Sequence, residues 1–187
     1  LTVTCIKKNV YRVISGSAVR THDKHHILSH LDNSISFSDI TDDYACLGIF
    51  GPKSRKLLQE LMGNEFISSS FPFGSGKFLE LNGVSIWFQR LSYVGELGWE
   101  LYFPIEFSNY IAELIESVGE KFSLKLCGMH SVDSCRIEKA YRHFGHDITD
   151  EDHVLDAGLG FVVKPDKKPS KYGKFIGYDA VKKKQTK

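Results

Sequence analysis

The residue types with most chemistry to offer fall in one stretch, Arg90-Leu91-Ser92-Tyr93-Val94-Gly95-Glu96-Leu97-Gly98-Trp99-Glu100-Leu101-Tyr102. Gly95 and Gly98 bracket Glu96 between apolar runs, and glycine at such places permits a tight bend or a close backbone approach. Glu100 follows in a strand-like run, set between the large residues Trp99 and Leu101. A carboxylate there needs hydrogen-bond donors if it is to leave water, and an N–H-rich heterocycle would supply them. Tyr102, two residues on, shares the strand face of Glu100. On the residues alone, the plainer reading is a carboxylate on the solvated face of an edge strand.

Other candidates are weaker. His22, His25, His26 and His30 include i,i+4 pairs, a spacing that can present a metal from a helix. Asp23 is the only carboxylate within that run, so a solvated helix face is expected and no metal site. His143-Phe144-Gly145-His146-Asp147 lacks a full ligand set and reads as loop. No GxSxG, Walker loop or strand-following GxGxxG occurs, and Gly74-Ser75-Gly76 has no helix behind it to cradle a phosphate. The four cysteines, Cys5, Cys46, Cys127 and Cys135, form no CxxC. They are expected as reduced thiols, with Cys127 and Cys135 in the core, which suits a reducing compartment such as the cytoplasm or the mitochondrial matrix.

These residues must be positioned by an alternation of strands and helices. Thr2–Cys5 and Tyr11–Ser15 read as a hairpin turning at Lys7-Lys8-Asn9, and His22–Leu31 as a modest helix. Tyr44–Phe50 is a strand closed by Gly51, and Pro52 opens a helix to Leu61. Lys77–Leu81 and Val84–Arg90 flank Asn82-Gly83, the strongest two-residue turn signal in the chain. Trp99–Phe103 is a strand stopped by Pro104. Helices are predicted over Phe107–Val118 and Met129–Tyr141, and Gly158–Val163 as a short strand. The order predicts an α+β fold, with antiparallel sheets flanked by helices.

Composition excludes several classes. The chain has 187 residues, 42% hydrophobic and 25% charged, with 24 basic and 23 acidic residues and a net charge of +1. That is ordinary globular composition, with no electrostatic argument for nucleic acid or an anionic membrane. No run of about 18 apolar residues is present to span a bilayer. The basic Val181-Lys182-Lys183-Lys184 run reads as a solvated tail or linker. Because Leu1 stands in a strand-like run, further residues are expected upstream.

Tyr93-Val94-Gly95-Glu96-Leu97-Gly98-Trp99-Glu100 resembles the YxGExGxE signature of the glycine-cleavage T-protein fold. The resemblance extends to Gly16-Ser17-Ala18, Ala45 to Pro52, Cys127-Gly128-Met129 and Asp133 to Arg142. It continues through Gly145-His146-Asp147-Ile148, Asp156-Ala157-Gly158-Leu159 and Lys174-Phe175-Ile176-Gly177. The wording of Glu138 to Arg142 and Lys174 to Gly177 is closer to the dimethylglycine and sarcosine dehydrogenase branch than to the free T-protein.

The resemblance implies a T-protein-like fold with a ferredoxin-like inner module at about 44–142, flanked by 1–43 and 143–187. The whole of 1–187 is then one partial domain, incomplete at both ends. It implies tetrahydrofolate as cofactor, bound through Tyr93 and Glu100, with Glu100 accepting hydrogen bonds from the pterin and Tyr102 a lesser contact. The reaction implied is capture of a methylene unit from an iminium or formaldehyde, derived from a methylamine, to give 5,10-methylenetetrahydrofolate. FAD would belong to a partner oxidoreductase domain outside these residues. The family's catalytic aspartate would fall just upstream of Leu1, so the isolated chain is expected to lack turnover. Where some free T-proteins carry an arginine to the folate tail, this chain has Val132. A non-catalytic regulatory or assembly relative, like the regulatory subunit of pyruvate dehydrogenase phosphatase, is the alternative.

Overall fold

Alternation along one strand decides the architecture. In β6 (Gly98–Pro104), Trp99, Leu101 and Phe103 are wholly buried, while Glu100, Tyr102 and Pro104 point the other way and stay half-buried. A strand with one dry and one partly wet face must be covered on its dry side. The computed structural model describes residues 1–67, 69–164 and 173–185. The chain divides into two compact units, Leu1–Lys139 and Ala140–Lys187.

In the first unit, β1 (Thr2–Lys7) and β2 (Val10–Ile14) form an antiparallel hairpin, turned by Asn9 at φ 63°. Helix α1 (Arg20–His30) follows, with none of its residues fully buried, held by Arg20 and Lys24 to Asp39. The main sheet has the order β3-β6-β5-β4, built from β3 (Tyr44–Phe50), β4 (Gly76–Leu81), β5 (Val84–Gln89) and β6, every neighbouring pair antiparallel. Helix α2 (Ser54–Met62) carries the chain from β3 to the far edge. The meander β4-β5-β6 then returns to β3. The β4–β5 turn is Asn82-Gly83 at φ 50° and 82°, the left-handed pair that a two-residue hairpin requires.

The dry face packs beneath α2 and α3 (Ser108–Gly119). Leu57 and Leu58 of α2 and Ile111 and Ile115 of α3 join Ile86, Phe88, Trp99, Leu101 and Phe103 in one cluster. Phe66 and Phe71 set their rings edge-on to Trp99 at 5.5 and 5.9 Å. Each such side chain contributes about 1.5–3 kcal/mol by leaving water. Gly63, at φ 65°, stops α2. The unit ends with α4 (Met129–Glu138), whose one buried residue is Arg136, bonded to Asp133 at 2.7 Å.

The second unit contains the short helix α5 (Gly160–Val163) and α6 (Tyr178–Gln185). Its Phe144–Gly145–His146–Asp147 segment is a loop, in which the Asp147 carboxylate accepts the His143 N–H at 2.9 Å.

The α+β class, the N-terminal hairpin and the strand and helix order agree with expectation, with three local corrections. Gly158–Val163 is not a strand. Gly158 takes φ 72°, and the N–H groups of Val162 and Lys164 find their acceptors locally, on Leu159 and Gly160, so α5 forms instead. Helix α4 stops at Glu138 rather than Tyr141, because Ala140 adopts φ 56°. Cys127 is exposed and Cys135 half-buried rather than in the core. Cys127 precedes α4, and that helix turns no continuous apolar stripe inward. All four cysteines are free thiols.

Candidate functional site: the partly open sheet face

The face of the main sheet opposite α2 and α3 carries polar and aromatic residues from all four strands. Tyr44, Cys46, Gly48 and Phe50 come from β3, and Gly98, Glu100 and Tyr102 from β6. Ser85, Trp87 and Gln89 come from β5, and Gly76 and Phe78 from β4. Register sets the neighbours: Glu100 lies between Gly48 and Gln89, and Tyr102 between Cys46 and Trp87. Strand β6 is therefore interior to the sheet, not the edge strand that the plainer reading of Glu100 assumed.

Glycines shape the ground around the carboxylate. A Cβ on Gly48 would stand 2.3 Å from a ring carbon of Phe50, and one on Gly98 2.2 Å from another. The Phe50 ring therefore lies across both positions, and directly opposite Glu100 on β3 stands Gly48, which has no side chain.

The Tyr102 phenol donates to Glu100 Oε2 at 2.6 Å. Burial, then the neighbouring Cys46 and Glu100 charges and hydrogen bonds, hold that phenol well above the usual tyrosine range. Cys46 is open to solvent by area, yet loss of hydration and then the Glu100 charge push its thiol up to about 11. The pair is thus a carboxylate with one oxygen engaged by a phenol, and among the described residues the rest of its acceptor capacity is unused.

Behind it lies a buried polar group that sequence reading passed over. Gln89, 2% exposed, accepts from Trp87 Nε1 at 3.0 Å and from Thr4 Oγ1 at 3.3 Å, and donates to the Gly74 carbonyl at 3.3 Å. Thr4 belongs to β1, so the N-terminal hairpin rests on this face. Its register partner Arg12 reaches over the rings of Tyr44, Phe78, Trp87 and Tyr102, at 5.4, 5.5, 5.4 and 5.8 Å from guanidinium carbon to ring centroid. Arg12 left no signal as a site residue, because a lone arginine in a hairpin strand ordinarily faces water.

Of the expected site residues, the structure brings Glu100 and Tyr102 together. Tyr93 stands half-buried in the loop that leads into β6. That loop is tied down by Val94, 8% exposed, and by Gly95 at φ 72°, where a Cβ would lie 2.1 Å from the Lys139 side chain. Its last carbonyl, on Leu97, accepts from Gly51 N at 2.7 Å and Ser54 Oγ at 3.1 Å, fixing the start of β6 to the start of α2. Among the described residues, no group of three or more His, Cys, Asp or Glu is placed to hold a metal. No helix among them is long and apolar enough to cross a membrane.

A model of the GCVT N-terminal domain matches residues 1–167. The chain belongs to the GCVT N-terminal domain family. Among its curated relatives, human "Sarcosine dehydrogenase, mitochondrial" is 36% identical over 157 residues, covering 82% of this chain and 17% of that protein. Human "Dimethylglycine dehydrogenase, mitochondrial" is 32% identical over 185 residues, covering 97% of this chain and 21% of that protein. The "Aminomethyltransferase" of Shouchella clausii is 31% identical over 176 residues, covering 94% of this chain and 47% of the other. The resemblance read from the motifs to the sarcosine and dimethylglycine dehydrogenase branch is thereby borne out. The chain spans 17 to 21% of the length of these dehydrogenases.

Proposed function

We propose that this domain binds tetrahydrofolate on the partly open sheet face, as the one-carbon-accepting part of a demethylating amine dehydrogenase. The observation that carries the reading is the Glu100 carboxylate, seated beside Gly48 and bonded on one oxygen by Tyr102. The pterin edge is rich in N–H donors, and an ionised carboxylate is acceptor-only. Bonds of that kind are charge-assisted and orient as well as attract. The ring-rich surroundings, Phe50, Tyr102 and Trp87, suit a flat heterocycle. Tyr93, from the loop before β6, is assigned as a further contact.

The bound folate supplies the nucleophilic nitrogens; the chain's own residues hold and orient it. The methylene unit would come from an iminium or formaldehyde made by an FAD-dependent oxidoreductase domain acting on a methylated amine. The product would be 5,10-methylenetetrahydrofolate. The dehydrogenase names of the relatives support this division of labour, and their mitochondrial names support the mitochondrial of the two expected compartments.

Calorimetric titration of the full-length protein with tetrahydrofolate tests the reading. Hydrogen bonds to a charged group are worth about 1.5–3 kcal/mol, so Glu100→Gln is expected to weaken binding about 10- to 150-fold. An unchanged Kd refutes the assignment. Binding with no 5,10-methylenetetrahydrofolate formed from formaldehyde above the spontaneous rate would favour the non-catalytic, regulatory alternative.

A further inference from the structure

Arg12 is anchored in a way that a surface arginine is not. Its guanidinium lies over one ring from each strand of the main sheet, Tyr44 of β3, Tyr102 of β6, Trp87 of β5 and Phe78 of β4. Its NH1 is buried with no hydrogen-bond partner, and no carboxylate pairs with it among the described residues. Burial pulls the guanidinium below its usual range, opposed by Tyr44 and Tyr102. A half-buried cation with one nitrogen shut from water and no counter-ion is compensated by the π faces around it. Placing it there has a structural cause, since Thr4, its partner across the hairpin, is itself bonded to Gln89 on the same face.

One of the four rings is also the ring whose O–H is bonded to Glu100. The cation on one side and the carboxylate at the hydroxyl end together fix where the Tyr102 ring sits. We propose that Arg12 is a positioning residue of the ligand site: it pins the N-terminal hairpin across the sheet and sets the Tyr102 ring, so that Tyr102 engages one oxygen of Glu100 and leaves the remaining acceptor positions aimed outward. This rests on the reading of Glu100 as the folate acceptor.

The test uses the full-length protein with tyrosine labelled at ¹³Cζ, where the Tyr102 resonance is identified by its loss in Tyr102→Phe. Arg12→Met removes the cation and keeps an apolar stem. It is expected to move the Tyr102 resonance and to weaken tetrahydrofolate binding about 3- to 10-fold. In a Tyr102→Phe background, the same substitution should cost no further affinity, because its effect runs through the phenol. Arg12→Lys, which keeps a cation but not the planar fork, provides a second variant should Arg12→Met fail to fold. It should move the resonance less and weaken binding less than about threefold. Losses for Arg12→Met and Tyr102→Phe that multiply, or binding weakened in either Arg12 variant with the Tyr102 resonance unmoved, would overturn the proposal. If Glu100→Gln leaves the affinity unchanged while Arg12→Met moves the resonance, the folate reading fails and the Arg12–Tyr102 relationship stands.

Discussion

Tyr102 and Glu100 stand two residues apart on one face of β6, and the phenol donates to the carboxylate across 2.6 Å. Residues i and i+2 of a strand share a face by geometry alone, but the bond needs more. Both side chains must be turned toward each other in a setting dry enough to make the contact worthwhile. The hairpin lying on this face, through Thr4 and Arg12, provides that dryness.

Alkaline pH should expose the Tyr102 bond. In the unfolded chain a phenol ionises near about 10, while burial and then the Cys46 and Glu100 charges hold the folded Tyr102 phenol protonated to higher pH. The folded state binds this proton more tightly, so its contribution to stability is whole below about pH 10 and drains away as pH rises beyond it. Between about pH 10 and 11.5, the Tm of wild type should fall more steeply than that of Tyr102→Phe. Parallel curves would show a phenol that ionises as freely in the folded protein as in the unfolded chain.

Cysteine labelling gives a second check. Cys46 is exposed as a residue, but its thiol is pushed up to about 11. At pH 8 only about 0.1% of it is thiolate, the reactive form. Iodoacetamide followed by peptide mapping should find Cys46 slow at pH 8, with a rate that climbs about tenfold per pH unit toward 11. Labelling at pH 8 as fast as that of exposed Cys5 or Cys127 would contradict the proposed environment.

The Phe50 ring sets a third expectation. Gly48→Ala places a methyl 2.3 Å from that ring, so the ring must move, and overpacking of this kind costs about 1–3 kcal/mol. In a Phe50→Ala background the obstacle is gone, and the added cost of Gly48→Ala should shrink below about 1 kcal/mol. Urea unfolding of the four proteins in the cycle measures both values. Equal costs in the two backgrounds would mean that Gly48 is required for some reason other than the ring.

Patterns that repeat over short distances were readable before any coordinates. The alternation Trp99, Leu101, Phe103 against Glu100, Tyr102 announced β6, and Asn82-Gly83 announced the β4–β5 hairpin, because side-chain period and turn chemistry are local. Gly158–Val163 misled for the same reason: an apolar run has no period of its own, and its backbone closed on itself as α5 instead of pairing. The Glu100–Tyr102 proximity was legible at the level of a shared strand face. That β6 lies inside the sheet rather than at its edge was not, because strand order depends on which distant segments pair. Arg12 was beyond reach for a like reason. Its four rings come from positions 44, 78, 87 and 102, and only the folding of the hairpin onto the sheet gathers them around one cation. By itself the sequence determined the local elements, the family motifs and the chemistry of single residues. The tertiary structure alone decided which face of the sheet is dry, which residue covers the other, and what each carboxylate and cation finds opposite it.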